Sequence, residues 1–483
     1  MLLIFVSAKI NSISHKNQGS KIIIANIESR IQSLIEATNS QPYPETALSP
    51  ATSEAVELVE HSFLKLACEL ADWMSALRIQ KAIESDQMLS EVKEFVKRLP
   101  GRYKNYGWRT VNIRFSGGTV IPIKAAYYAR NCDKNKRNKG FYPALCLLGI
   151  HDRCTPGLIS EVSLLSAALC SLEEAKKMLD SRGISLNIKT IRNIVKRFAA
   201  RARLAQENDV SLVNDDAETV KGRKVVVSAD GGRVRIRTDK RGPKSKKGRS
   251  RYKTDWKEPK LLIIYITNEE GKQDKKFSPY IDGTLKGPDA IYAMLAYYLK
   301  RIGVKCADKV LFVSDGARWI WERIPKLIST LGLDTNKVYE LIDFYHAVQH
   351  LTNLAKLQST WSSTTREKWV RKNRRLLKKG RVKQVIADII GICKGSRKKL
   401  VKREREYFVK NQHRMNYQAV SNLKLPIGSG AIESSIRRVI NLRMKSPCIF
   451  WHEDTANEML MLRSYYKAGR WDTLKAWSES VAA

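Results

Sequence analysis

Acidic residues, cysteines and long apolar runs are all scarce in this chain, and each scarcity narrows what the protein can be. Asp and Glu number 48 against 87 Lys and Arg, which leaves a formal net charge of +39 over 483 residues. No apolar run approaches the length of a membrane span, so we expect no membrane partner. The apolar start MLLIFVSAK has no basic segment before it, so we predict no signal peptide and a cytoplasmic location.

The eight cysteines are scattered and form no CxxC pair. We expect them to be reduced, buried and structural, as in a cytoplasmic protein. One group leaves an alternative open, because Cys132, Cys146, His151 and Cys154 lie close in sequence. They are candidate zinc ligands, although their spacing fits no usual zinc-finger pattern.

What the chain has in abundance is positive charge. Folding does not require such a surplus, which indicates a polyanionic partner such as DNA. With 43% hydrophobic residues the composition is that of a globular protein, and the length predicts several domains. In so basic a chain, acidic residues that directly follow apolar strands are candidate functional residues.

Two segments have this form. VVVSADGG ends a predicted strand at Asp230, and LFVSDGA ends another at Asp315. Open α/β sheets build their sites at this edge, and carboxylates brought together there need a cation. Oxygen ligands suit Mg²⁺ or Mn²⁺, and two such ions serve phosphodiester chemistry. The alternative is ordinary turn chemistry, in which Asp-Gly pairs are common.

Residues 221–357 predict neighbouring strands first and alternating strands and helices afterwards. That order gives a mixed sheet flanked by helices and matches a ribonuclease-H-like fold. The predicted strands are 224–229, 233–237, 261–267, 310–314 and 338–342, and the predicted helices are 289–302, 317–331 and 344–357. Residues 358–420 then predict a basic, all-helical insertion. Residues 421–483 complete the core with a helix that begins at the Gly-rich turn before Glu433.

The segment that begins with the second predicted strand is the most basic in the chain, RVRIRTDKRGPKSKKGRSRYKTDWK. We interpret it as a flexible loop that binds a nucleic acid backbone, with Tyr252 and Trp256 stacking on bases. The alternative is a solvated loop with no partner.

A helical stretch over residues 157–205 precedes the core. Ser171 and Glu174 form a capping box, and Gly183 separates the two later helices. This pattern resembles a helix-turn-helix DNA-binding domain, with a plain helical hairpin as the alternative. The candidate DNA-contacting residues on the second of these helices are Lys189, Arg192, Lys196 and Arg197.

Residues 1–156 predict a helix and a β-hairpin of no assignable role, and residues 206–220 predict a linker. The expected fold class is therefore multidomain α+β. A ribonuclease-H-like α/β catalytic core with an all-helical insertion is preceded by a helical, helix-turn-helix-like domain.

Taken together, these motifs resemble those of DDE transposases of bacterial insertion sequences, in the Mutator-like and ISKra-type groups. The resemblance covers most of residues 221–470. It rests on the Asp-Gly-Gly after the first strand, SDGARWIW, IDFYHAVQHL and GSGAIES with the basic segment after it. It implies an enzyme dependent on two Mg²⁺ or Mn²⁺ ions that cuts element ends and transfers strands into target DNA.

The resemblance also assigns residues and partners. Asp230, Asp315 and Glu433 become the metal-binding triad, and Asp343 and His346 match an Asp-x-x-His motif. His346 is a further catalytic candidate, with a core histidine as the alternative. The residues expected to neutralise phosphates beyond the triad are Arg437, Arg438, Arg443 and Lys445.

The expected partners are element terminal repeats, target DNA and further copies of this chain, because two ends must be cut together. We expect the protein to associate with the nucleoid. The alternatives are another ribonuclease-H-like nuclease, such as a junction resolvase, and a non-catalytic, domesticated DNA-binding protein.

Overall fold

The structure is a computed structural model. It describes residues 18–40, 53–130, 140–208, 217–240, 242–244, 248, 250–394, 398–446 and 449–480. The chain divides into two compact units, Met1–Asn208 with Lys475–Ala483, and Asp209–Leu474. The predicted helix-turn-helix-like segment thus belongs to one unit with the residues before it. Within the described ranges, no helix has both the length and the apolar character needed to cross a membrane.

The first unit contains the predicted hairpin. Its strands β1 (Tyr103–Arg114) and β2 (Val120–Arg130) are antiparallel. Alternate residues of the hairpin, such as Ile113 and Ile121, are buried in a core shared with helical residues, because period-two patterning turns one face inward. The helices on this side are α1 (Gln18–Ser40), α2 (Ser53–Ile83), α3 (Asp86–Arg98) and α4 (Pro143–Leu147).

Three helices follow in the same unit: α5 (Pro156–Ala168), α6 (Leu172–Asp180) and α7 (Ile188–Glu207). The predicted capping box forms, since the N–H of Glu174 donates to Ser171 Oγ at 3.0 Å. Asn187 caps α7 in the same way by accepting from the N–H of Thr190. Gly183 takes a φ of 76°, which lets the chain turn between α6 and α7.

The second unit is built on a five-stranded mixed sheet of order β7-β6-β3-β8-β9. On one side of β3, β6 pairs antiparallel with β3 and β7 pairs antiparallel with β6. On the other side, β8 and β9 run parallel to β3. The strands are β3 (Lys224–Gly231), β6 (Lys260–Ile266), β7 (Tyr280–Thr284), β8 (Lys309–Ser314) and β9 (Val338–Ile342). The apolar runs are buried, as continuous hydrophobic strands require.

Helices connect and flank these strands. They are α8 (Ala217–Val220), α9 (Pro288–Arg301), α10 (Arg318–Trp321), α11 (Ile324–Leu331) and α12 (Phe344–Lys356). The single helix predicted over 317–331 is two helices, because Pro325 begins a new first turn in α11. Strand β7 was not predicted, since its Asp-Gly pair is typical of a turn.

The predicted basic loop is in part ordered as a strand. Strands β4 (Val234–Asp239) and β5 (Tyr252–Lys257) form an antiparallel ribbon separate from the main sheet. The interpretation of this segment as a loop was therefore wrong for 252–257, because the Lys, Gly and Ser residues before it favoured a loop although β-formers alternate with charged residues there.

The described part of residues 358–420 is helical, as predicted. Its helices are α13 (Ser363–Lys378), α14 (Val382–Cys393), α15 (Lys399–Asn411) and α16 (Tyr417–Asn422). The chain then forms α17 (Gly430–Ile436), a π-helical turn (Arg437–Asn441), α18 (Glu453–Ala468) and α19 (Trp471–Glu479). The helix predicted to begin near Glu433 is thus short and ends in a π-helical turn.

Candidate active site

Three aspartates lie at the carboxyl ends of the parallel strands β3, β8 and β9, at one edge of the sheet. The pairing sets Val227 opposite Phe312, and Ser314 opposite Ile342. Asp230 and Asp315 each follow the last paired residues of β3 and β8 by three positions, and Asp315 and Asp343 follow Ser314 and Ile342 by one. Neighbouring strands lie about 4.8 Å apart, so the three residues share one short stretch of the sheet edge.

The backbone opens between β3 and β8 just before this edge. The N–H of Ala229 donates to the side chain Oγ of Ser314 at 3.1 Å, while the carbonyl of Ser314 accepts from the N–H of Asp343 at 2.8 Å. Strand β8 therefore stays paired with β9 while β3 departs from it. This divergence gives the first two carboxylates room between the strands.

The environments of Asp230 and Asp315 disfavour their charged forms. Burial raises the pKa of Asp230 to about 6, and the charge of Asp315 adds to the rise. Burial also raises the pKa of Asp315. Each carboxylate accepts one nearby backbone N–H, from Gly231 at 2.6 Å and from Ala317 at 3.0 Å. A nearby cation would therefore stabilise the charged forms of both carboxylates.

Asp343 is different, because it is fully buried and fully hydrogen-bonded. Its Oδ1 accepts the N–H groups of Tyr345 and His346 and so caps α12. Its Oδ2 accepts both the N–H and the Oγ–H of Ser429, each at 2.5 Å. One carboxylate thus ties the first turn of α12 to the turn that begins α17.

This tie brings His346 and Glu433 together. His346 Nε2 lies 3.9 Å from Glu433 Oε1, and the two side chains are 40% and 51% exposed. His346 is therefore not a core histidine. A Cβ on Gly428 would lie 2.8 Å from the ring of Tyr345, so a glycine is needed for the close approach of the two segments.

The donor set at this edge fits a hard divalent cation, since it consists of carboxylate oxygens with one imidazole. Glu433 is close enough for its charge to contribute to the raised pKa of Asp230. Over the described ranges, no three such side chains already form a complete metal-binding group. Two aspartates are in place, and the half-exposed Glu433 is the candidate third ligand.

The helical segment reaches the same edge through Tyr407 of α15. A Cβ on Gly316, the residue after Asp315, would lie 2.4 Å from the ring of Tyr407. The ring also stacks on His350, with centroids 3.7 Å apart. The hydroxyl of Tyr407 is buried and has no hydrogen-bond partner among the described residues. Sequence spacing gave no signal for this contact.

His350 attaches the helical segment to α12. Its Nδ1 lies 2.5 Å from Oε2 of Glu404, a residue only 2% exposed. The hydrogen bonds from His350 and from Arg403 lower the pKa of Glu404 against the opposing effect of burial, so this buried acid is charged. The partner of His350 is therefore a buried acid of the helical segment.

The predicted DNA-contacting residues are mostly exposed. On α7 the side chains of Lys189, Arg192, Lys196 and Arg197 are all exposed, and Arg197 also forms an ion pair with Asp152. All of these lie in the first unit.

The four basic residues predicted to contact DNA after Glu433 differ in their exposure. Arg437 and Lys445 are exposed and Arg438 is partly exposed. Arg443 is only 5% exposed and lies 5.3 Å from the ring centroid of Trp451. Helical spacing did not foresee this burial, and the contact of Arg443 with DNA stays a prediction.

The zinc alternative gains no support in the described part of the chain. Cys132 lies outside the described residues, and no three metal-ligating side chains form a group elsewhere. Burial raises the pKa of Cys154 to about 11 and lowers that of His151 to about 4. The first shift keeps the thiol protonated and the second keeps the imidazole neutral.

No protein-family model matches this chain, and no curated protein matches it either. Its function is therefore inferred from the residues of the site, of which the carboxylates at the sheet edge are the most informative.

Proposed function

We propose that this protein is a DNA transposase that cuts strands at the ends of a mobile element and joins them to target DNA. The observation that carries the proposal is the pairing of Asp230 with Asp315 on adjacent parallel strands, with Glu433 near them. In a chain of net charge +39, such a cluster suits metal-assisted chemistry on a polyanion.

We also propose that the second unit has a ribonuclease-H-like core. Its support is the strand order, in which β3 is central and β6 alone runs antiparallel to it. Strand β7 is antiparallel to β6, and β8 and β9 run parallel to β3. The long helical segment between α12 and α17 would be the insertion that precedes the helix of Glu433.

Asp230, Asp315 and Glu433 would hold the divalent cations. When bound, such ions lower the pKa of an attacking water or 3′-hydroxyl and stabilise the leaving oxygen. The protein supplies the deprotonated carboxylates and fixes their spacing through the sheet. His346, beside Glu433, would orient a water molecule or donate a hydrogen bond to the phosphate. Arg437 and Lys445 would neutralise neighbouring phosphates.

The test uses DNA that flanks the coding region as labelled substrate, with Mg²⁺ or Mn²⁺ present. We expect Asp230→Asn, Asp315→Asn and Glu433→Gln each to lower strand cleavage at least about 10³-fold while DNA binding persists. Calorimetric titration with Mn²⁺ provides a readout independent of activity and should show weaker binding for each variant. A variant that cuts at nearly the wild-type rate would remove that residue from the site.

The alternatives give different outcomes in the same assay. A transposase joins the cut ends to a target plasmid. Cutting of four-way junctions without joining would favour a resolvase, and binding without any cutting would favour a non-catalytic protein. We further propose that the active form contains more than one copy of the chain, which a native mass measurement with paired DNA ends would test. We also propose that the protein associates with the nucleoid, which cell fractionation would test.

A further inference from the structure

One face of the β4–β5 ribbon alternates arginines with aromatic rings. Val234 and Ile236 are buried on the opposite face, which turns Arg235 and Arg237 outward. Arg235 lies directly opposite Trp256 in the strand pairing, with its guanidinium carbon 4.9 Å from the ring centroid. The outward set, which we call the stacking face, is Arg233, Arg235, Arg237, Tyr252, Trp256 and Phe450.

The rings of the stacking face are held in place but remain open to solvent. Tyr252 packs against Phe450 with ring centroids 5.7 Å apart. The next residue, Trp451, joins the ribbon by backbone hydrogen bonds to Arg235 and Arg237. Even so, Tyr252 and Trp256 are each 44% exposed. Much of their apolar ring surface thus remains in contact with water, which is unfavourable.

The positive charge of this face is not neutralised internally. Across the part of the chain that the structure describes, no carboxylate pairs with Arg233, Arg235 or Arg237. Arg237 instead donates to Nε2 of His452 at 2.9 Å. Flat rings between guanidinium groups that have no carboxylate partner among the described residues suit a ligand that carries both flat faces and negative charge.

The ribbon begins at the carboxylate edge. The N–H of Gly232, between β3 and β4, donates to the carbonyl of Pro259 at 2.9 Å and closes the base of the ribbon. Glu258, just after β5, is near enough for its charge to act on Asp315. A strand of DNA that leaves the carboxylates therefore meets the stacking face within a short distance.

We propose that the stacking face binds unpaired DNA next to the cleavage site. Bases of a single strand stack on Trp256 and Tyr252, and the arginines contact the phosphates between them. A duplex fits this face poorly, because its base faces are already stacked on one another. The inference deepens the proposed function, on which it rests for the identity of the nucleic acid.

The experiment compares a blunt duplex with the same duplex bearing a six-nucleotide single-stranded extension, both fluorescently labelled, with the full-length protein. We expect the wild type to bind the extended duplex about tenfold more tightly. Trp256→Ala should abolish this preference and Trp256→Phe should keep most of it. Trp108→Ala is the matched control, because Trp108 is a similarly exposed tryptophan of a β-hairpin, at 46%.

Crosslinking identifies the contact directly. Extensions that carry 5-iodouracil should crosslink to Trp256 or Tyr252 of the wild type, a result that does not depend on whether the variants fold. Equal wild-type affinity for both duplexes, or crosslinks confined to other residues, would overturn the inference. Metal-dependent cleavage is measured on the same samples. Cleavage without extension preference refutes this inference alone, and extension preference without cleavage refutes the proposed function alone.

Discussion

The sheet edge contains two kinds of carboxylate that look alike in sequence. Asp230, Asp315 and Asp343 each follow an apolar strand, and the strand register brings them side by side. Asp343 accepts four hydrogen bonds and has no exposed surface. Asp230 and Asp315 accept one short backbone bond each and have raised pKa values.

The contrast indicates that the number of accepted hydrogen bonds distinguishes a carboxylate that stabilises the fold from one that still has capacity to bind a ligand. A carboxylate with its oxygens fully occupied stabilises the fold and has no capacity left for a ligand. A buried carboxylate that lacks partners costs stability and keeps that capacity. Asp343 therefore positions α12 and α17, whereas Asp230 and Asp315 accept only one backbone hydrogen bond each and keep acceptor capacity.

The largest effect on stability is expected at Asp343. Asp343→Ala removes a cap and leaves the N–H groups of Tyr345, His346 and Ser429 without their acceptor. We expect a loss of about 2–4 kcal/mol in the free energy of unfolding. Urea denaturation followed by circular dichroism measures it. Ser429→Ala is the milder control, since it removes only one of the donors and should cost about 1 kcal/mol. A stable Asp343→Ala protein would contradict the structural role.

At Asp230 we expect a substitution to increase the free energy of unfolding, whereas at Asp343 it decreases it. Because its folded pKa, about 6, exceeds its ordinary value of 3.8, the stability it contributes at low pH is lost as the pH rises through 6. In metal-free buffer at pH 7.5, Asp230→Asn should therefore raise the free energy of unfolding by about 2 kcal/mol. The gain should vanish near pH 4.

Addition of Mg²⁺ sharpens this test. The wild type should gain stability with Mg²⁺ at pH 7.5, because a bound cation favours the ionised carboxylates, whereas Asp230→Asn should gain little. Thermal unfolding with and without Mg²⁺ provides the measurement. A metal-free Asp230→Asn protein less stable than the wild type at pH 7.5 would show that this carboxylate is structural, like Asp343.

The smallest effect is expected at Tyr407, whose buried hydroxyl has no partner among the described residues. Tyr407→Phe removes that group while its ring stays against Gly316 and His350. We expect stability to be unchanged or to rise by up to about 1 kcal/mol. Calorimetry of the pure proteins is sufficient. A loss above 1 kcal/mol would mean that the hydroxyl is hydrogen-bonded, for instance through water. Phe408→Leu, one residue along, controls for general damage to α15.

Local sequence pattern was sufficient for the strands that carry the aspartates. The prediction for β9 matches its bounds, and those for β3 and β8 differ by one or two residues, because continuous apolar runs identify buried strands. Strands β5 and β7 were missed, since charged residues and an Asp-Gly pair conceal their period. The mixed sheet is confirmed, and the ribonuclease-H-like assignment stays a prediction.

The sequence identified the carboxylates of the candidate site, but it did not predict which residues contact them. Strand ends and a Gly-rich turn identified Asp230, Asp315 and Glu433 from local sequence. The bonds from Ser429 to Asp343 and the contact of Tyr407 with Gly316 join residues far apart in the chain. Local pattern contains no information on such pairs, and their discovery needed the three-dimensional structure.

The long helical segment between α12 and α17 has a consequence for the order of synthesis. Asp230 and Asp315 leave the ribosome well before Glu433, which follows more than a hundred residues after Asp315. At about 5–20 residues per second, this separation corresponds to roughly ten seconds. A nascent chain thus has both aspartates while it still lacks the glutamate, so any cutting activity that needs all three carboxylates begins only after residue 433 has been made.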